Sequence, residues 1–351
     1  MGDSDLSVNW TTPNFSVPPC QYKLTQHLPI RYPLLVLSMA ALLAFGTVGN
    51  SLAFIIFTRK RMRSANTYFL TTLAVADTGV LWMTFALYSV EVLYDYELNF
   101  KLYTMWFHYV KVVFTLSHIF QVSAVYLTIS ATVERWTALG FPSVSRKYCH
   151  PQNSLLFIGV VVACVVLLNF CKYWELDVHV SVNCTTFGRY NLMQGPLLLN
   201  AVYVQVYQVW LSNTLFIFVP FVSLFVLNLG IFMQITRNIP IENGNSFILM
   251  PLQKRMEDRM RRAKGREASL ILFVVVFVFL ICNLPALILN VLEQSVPSFL
   301  GKHYIFYSFS RDAINVLTAI NSAVNFPIYV IFGSEFRKML KRILCFETLR
   351  S

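Results

Sequence analysis

Charge is scarce in this chain. Charged residues make up 13% of 351 positions while 56% are hydrophobic, where a soluble protein carries roughly a quarter charged residues. A soluble domain of this size cannot hide so much apolar surface, which leaves lipid as its surroundings. The seven cysteines, at 20, 149, 164, 171, 184, 282 and 345, form no CxxC or Cys/His spacing, which excludes a zinc ribbon and a dithiol redox motif. His-Glu-x-x-His, Gly-x-Ser-x-Gly and intramembrane Asp pairs are lacking too, so enzymatic chemistry is not expected. There is no internal repeat, and Pro220 and Pro285 do not fall in matching halves, against the pattern of a transporter. The opening Met-Gly-Asp-Ser-Asp-Leu has no apolar core, so no cleavable signal peptide is expected, and Leu6 fails the myristoylation pattern. The first apolar run is expected to act as its own insertion signal.

What is present is long apolar runs, near Tyr32–Phe57, Thr67–Tyr94, Trp106–Thr137, Asn153–Cys171, Val202–Thr236, Ser269–Leu292 and Tyr304–Phe332. Each is long enough to cross a hydrocarbon core of about 30 Å. Because lipid satisfies no backbone polar group, such runs must be helices, and the ~10-residue alternation of a barrel is absent. The expected fold is all-α, a seven-transmembrane helix bundle. It is preceded by an N-terminus over residues 1–31 and spans 32–332. Residues 333–351 form a short tail in which Phe336, Met339, Leu340, Ile343 and Leu344 share one helical face opposite basic residues, as in an amphipathic helix lying on membrane lipids.

Twenty of the 28 Lys and Arg residues fall after runs one, three and five and in the tail, which assigns those segments to the cytoplasm and the N-terminus to the outside. The net charge of +11 is thereby a topology signal and calls for no nucleic acid. The sequons at Asn9, Asn14 and Asn183 all fall on the outer side, where glycosylation takes place. Cys345, at the end of the amphipathic stretch, suits either palmitoylation or a plain thiol.

Polar residues deep in apolar runs are costly and mark function or interhelical hydrogen bonding. Here they are Asn50, Asp77, Asn321, Ser322 and Asn325. With Asp77 the sole carboxylate near the middle of its run, a shared water or a sodium ion is the sharper expectation.

Several motifs stand in order at matching depths: Gly49-Asn50, Leu73-Ala-Val-Ala-Asp77, Glu134-Arg135-Trp136, Pro220 and Pro285. Together they resemble the rhodopsin-like G-protein-coupled receptors over about residues 32–345. Met62-Arg-Ser, Pro220-Phe-Val-Ser-Leu-Phe-Val-Leu-Asn228, Cys282-Asn283-Leu-Pro285 and Asn325-Phe-Pro-Ile-Tyr329 are similar to the FMRFamide-like neuropeptide receptors of invertebrates.

The resemblance implies a switch in which Arg135, restrained by Glu134, is freed when span six swings outward to admit a heterotrimeric G protein, with Tyr329 holding the open state and arrestin as a further partner. Where many relatives place an acid at the base of span six, this chain has Gly265, followed by Arg266 and Glu267, so that lock is missing. Relatives join a cysteine at the top of span three to one in the second outer loop. This chain has Val110 there, leaving either a Cys20–Cys184 bridge or two free thiols. Span seven lacks the lysine of an opsin, and span three has Ser117 and His118 where amine receptors carry an acid. A peptide ligand is what remains. If it ends in Arg-Phe-amide, Glu91 and Glu293 are candidates for its guanidinium, and His118, Gln121, Asn290 and Arg311 for the remaining contacts.

Overall fold

Three helix starts in this chain are set by polar residues just ahead of the apolar runs. Thr67 N donates to Ser64 Oγ (3.3 Å) while Ser64 N donates to Thr67 Oγ1 (2.7 Å), a reciprocal cap. Asn99 Oδ1 accepts from the backbone of Lys101 and Leu102 (3.1 and 3.2 Å), and Asn200 Oδ1 from Val202 and Tyr203 (3.0 and 3.2 Å). Behind these caps, a computed structural model, which describes residues 20, 22, 24–182, 184–237 and 252–345, places seven helices long and apolar enough to cross a membrane. They are span one Leu28–Phe57, span two Ala65–Glu97, span three Phe100–Gly140, span four Pro151–Trp174, span five Ala201–Gln234, span six Ser269–Ser295 and span seven Tyr304–Phe332. Each matches an expected run.

Three helix starts differ from expectation by more than three residues. Span one starts at Leu28, inside the 1–31 segment, because Pro29 suits a first helical turn. Span three starts six residues early because Asn99 caps it. The basic stretch ahead of span six was expected as loop, yet one helix runs over Leu252–Ser295; its Lys, Arg, Glu and Met residues are good helix formers and only Gly265 opposes them.

Span two is the most enclosed, with half of its most apolar window buried against 22% for spans four and five. Spans two and three therefore form the centre of the bundle, and four and five turn most of their surface to lipid. Glycine permits the closest approach between spans one and seven: a Cβ at Gly49 would lie 2.8 Å from Phe326 Cβ. Span seven breaks at Val324 into Tyr304–Ala323 and Asn325–Phe332, since Pro327 has no N–H to offer the preceding turn. The outer part of span five winds in wide i→i+5 turns over Val204–Ser212 and Thr214–Phe218, ending beside Pro220, which likewise withholds an N–H. After Gly333 the amphipathic helix Ser334–Leu344 follows, burying Phe336 and Met339.

Outside the bundle, the hairpin β1 (Leu176–Val180) and β2 (Tyr190–Gln194) pairs antiparallel with Val178 opposite Leu192. It is fastened to the top of span three by Tyr103, whose side chain has no exposed surface. The Tyr103 hydroxyl donates to Tyr190 O (2.7 Å) and accepts from Gly188 N and Tyr190 N (3.2 and 3.0 Å). Its ring packs on Phe107, Phe187 and Tyr94. A noncovalent tie thus stands near the place where relatives carry a span-three disulfide. Tyr103→Phe is expected to strand one buried and one half-buried N–H group at about 1–3 kcal/mol, lowering the apparent Tm of purified protein by several degrees, whereas Tyr148→Phe, at an exposed ring, should leave it unchanged. Equal Tm values for wild type and Tyr103→Phe would dismiss the tie.

Candidate switch and ligand-facing sites

The intramembrane polar residues converge. Asn50 on span one donates from Nδ2 to Ser322 O on span seven (3.1 Å), and Asn325 Nδ2 donates to Asp77 Oδ2 across spans seven and two (2.7 Å). All four are buried. A cavity of about 20 Å³, room for about one water-sized sphere, is lined by Asp77, Gln121, Thr128, Asn321, Ser322 and Asn325 among others. These carboxylate, hydroxyl and amide oxygens are the donor set a hard monovalent cation takes. Gln121, three residues along span three from His118, is one of the residues on this cavity.

At the end of span three far from the hairpin, Arg135 Nε lies 3.2 Å from Glu134 Oε2, the two side chains 17% and 11% exposed. Tyr329 is buried, its ring 5.1 Å from that of Phe57 and 5.6 Å from that of Phe336. The helix after span seven is thereby packed onto the inner ends of spans one and seven.

At the outer face the charges are mostly consumed by one another. Arg31 grips Asp312 through two bonds, Nε at 2.6 Å and Nη2 at 2.8 Å. Asp95 accepts from the Tyr22 hydroxyl and from both the hydroxyl and the backbone of Thr25; burial and this carboxylate hold the Tyr22 phenol above its ordinary pKa, so it stays a donor. Lys111 pairs with Asp177 (3.3 Å). Glu293 and Arg311, both expected to face a ligand, face each other at 3.5 Å, and Arg311 also donates to the Tyr307 hydroxyl (3.3 Å). Glu91 is half-buried and makes no hydrogen bond or ion pair among the described residues. His118 Nδ1 contacts Phe114 O of its own helix (2.9 Å), and Asn290 is half-buried on span six, almost one turn inward of Glu293.

Sequence reasoning missed a second buried ion pair. Lys172 Nζ lies 3.0 Å from Glu175 Oε1, with the side chains 5% and 2% exposed; Gln208 Oε1 (3.1 Å) and the Tyr203 hydroxyl on Glu175 (2.7 Å) complete the set. Together these tie spans four and five. The signal was a lysine at the end of an apolar run.

Of the two alternatives for the outer cysteines, the disulfide is the one formed: Cys20 and Cys184 are bonded, Cα atoms 5.4 Å apart. The sequons at Asn9, Asn14 and Asn183 lie outside the described residues, and Cys345 is exposed.

Comparison with known proteins agrees with this geometry. The chain is 29% identical over 309 residues to a Drosophila melanogaster FMRFamide receptor, covering 84% of this chain and 50% of that one. It is 26% identical over 320 residues to the FMRFamide peptide receptor frpr-18 of Caenorhabditis elegans (89% and 69%). It is 24% identical over 308 residues to the somatostatin receptor type 2 of Mus musculus (86% and 74%). The alignment thus takes in half the length of the Drosophila relative. Residues 49–329 match the family model described as 7 transmembrane receptor (rhodopsin family), a stretch that contains Asn50, Asp77, Glu134, Arg135, Ser322, Asn325 and Tyr329, and the chain belongs to that family.

Proposed function

We propose that this multi-pass protein is a cell-surface receptor, N-terminus outside and C-terminus in the cytoplasm, that binds an amidated FMRFamide-like peptide and activates heterotrimeric G proteins. The observation that carries this reading is the Glu134–Arg135 pair at the cytoplasmic end of span three, set in a family of receptors that includes similar proteins named for FMRFamide. Supporting it, the outer face holds the half-buried and unpaired Glu91, suited to a cationic group in a ligand. Asp77, Thr128, Asn321 and Ser322 would hold a sodium ion, which would supply positive charge between spans two, three and seven. Arrestin and membrane lipids would share the cytoplasmic face, the lipids through the basic side of Ser334–Leu344 and an acyl chain on Cys345. Glycans would occupy Asn9, Asn14 and Asn183.

Screening cells that express the chain against a library of amidated peptides, with calcium and cyclic-AMP readouts, tests the reading. At least one Arg-Phe-amide peptide is expected to evoke a saturable response absent from untransfected cells. A response confined to non-peptide ligands would replace the ligand assignment.

A further inference from the structure

The helix Ser334–Leu344 starts without a cap of its own, because the residue at that place is Gly333, in extended backbone. A helix start leaves four N–H groups unpartnered. The partner comes from another element: Glu267, at the base of span six, accepts from Ser334 N and from Ser334 Oγ, the latter at 2.5 Å. Both bonds go to a charged group and are of the stronger kind.

Other polar and aromatic anchors of this helix come from spans one and seven and the first inner loop, while span six adds apolar packing through Ile271 and Leu272. Glu335 pairs with Arg61 of the first inner loop (3.8 Å). The Phe336 ring packs on Phe57, Phe326 and Tyr329. Arg337 Nη1 donates to Val330 O and Ile331 O (3.1 and 2.6 Å). Among the described residues, Glu267 is the polar anchor that reaches the helix from span six. Meanwhile Arg135 has its ion pair with its own neighbour Glu134, and Gly265 offers no side chain to hold it.

We propose that Glu267 is a latch which fastens the base of span six to Ser334 in the resting receptor and must release for span six to move outward. The proposal rests on the G-protein-receptor reading above. A hydrogen bond is gone once donor and acceptor separate beyond about 3.5 Å, so even a small outward shift breaks both bonds at once. The tie that relatives make between spans three and six is replaced by one between span six and the helix that follows span seven.

The test is a spin-label pair on the cytoplasmic ends of spans four and six of the purified full chain, read as a distance distribution without ligand, with basal G-protein activation measured in parallel. Glu267→Gln keeps the shape and removes the charge; the ratio of long-distance to short-distance populations is expected to rise about tenfold, as for loss of hydrogen bonds to a charged group. Ser334→Ala removes only the hydroxyl arm and should give a smaller rise. Unchanged distances in both variants would overturn the latch, whatever the signalling. Longer distances with no G-protein activation in any form would leave the latch standing and bring down the coupling reading instead.

Discussion

Alanine at Arg135 is expected to abolish ligand-driven G-protein activation while surface expression stays within a few-fold of wild type. The guanidinium is 17% exposed and its ion-pair partner is the adjacent Glu134, so its removal opens no contact between spans. What it leaves is a carboxylate that is 11% exposed and now unpaired, at a cost of about 1–3 kcal/mol. The double variant Glu134→Gln, Arg135→Ala removes that residual charge and is expected to be equally silent at full expression. Ligand-driven calcium or cyclic-AMP responses from well-expressed Arg135→Ala would end the proposed role of this residue.

A second large effect is expected at Glu91, and the outer face sharpens it. Glu91 and Glu293 are equivalent in sequence terms, yet Glu293 faces Arg311 at 3.5 Å, while Glu91 makes no hydrogen bond or ion pair among the described residues and feels the charge of Arg31, itself engaged with Asp312. Glu91→Gln is therefore expected to weaken an amidated Arg-Phe peptide by about 2–5 kcal/mol, well over tenfold, and to cost little against the same peptide with citrulline for arginine. Glu293→Gln frees Arg311 near the rim and should act on both peptides alike and weakly. Dose–response curves for two variants and two peptides decide it. Equal losses at Glu91 for both peptides would mean that the carboxylate acts through folding, and the pairing would be dropped.

Much of this was legible in the sequence for a physical reason: lipid forces every span to satisfy its own backbone, so seven apolar runs become seven helices. Asn50, Asp77, Ser322 and Asn325 were legible because polar side chains inside such runs have few partners besides one another, and two interhelical hydrogen bonds join them. The outer face was less so. Ion pairs such as Arg31–Asp312 join residues 281 apart in sequence, and neither carries a local signature of the other. Tyr103 looked like one aromatic among many, since its hydroxyl serves backbone groups of a hairpin that comes some 87 residues later. In span five, wide turns rotate the outer half away from the 3.6-residue repeat on which face assignments depend. The latch at Glu267 is set by Ser334, which an alternating basic and acidic stretch gives no means of choosing.

The bond between Cys20 and Cys184 closes a covalent ring of chain that passes through spans one to four and comes back out, while spans five, six and seven stay outside it. The molecule therefore has two topologically unequal parts. A single cut in the inner loops between spans one and two or three and four leaves both ends joined until a reductant opens the ring. A cut between residues 237 and 252 frees a two-span piece, spans six and seven, which the other part then holds by packing and hydrogen bonds alone.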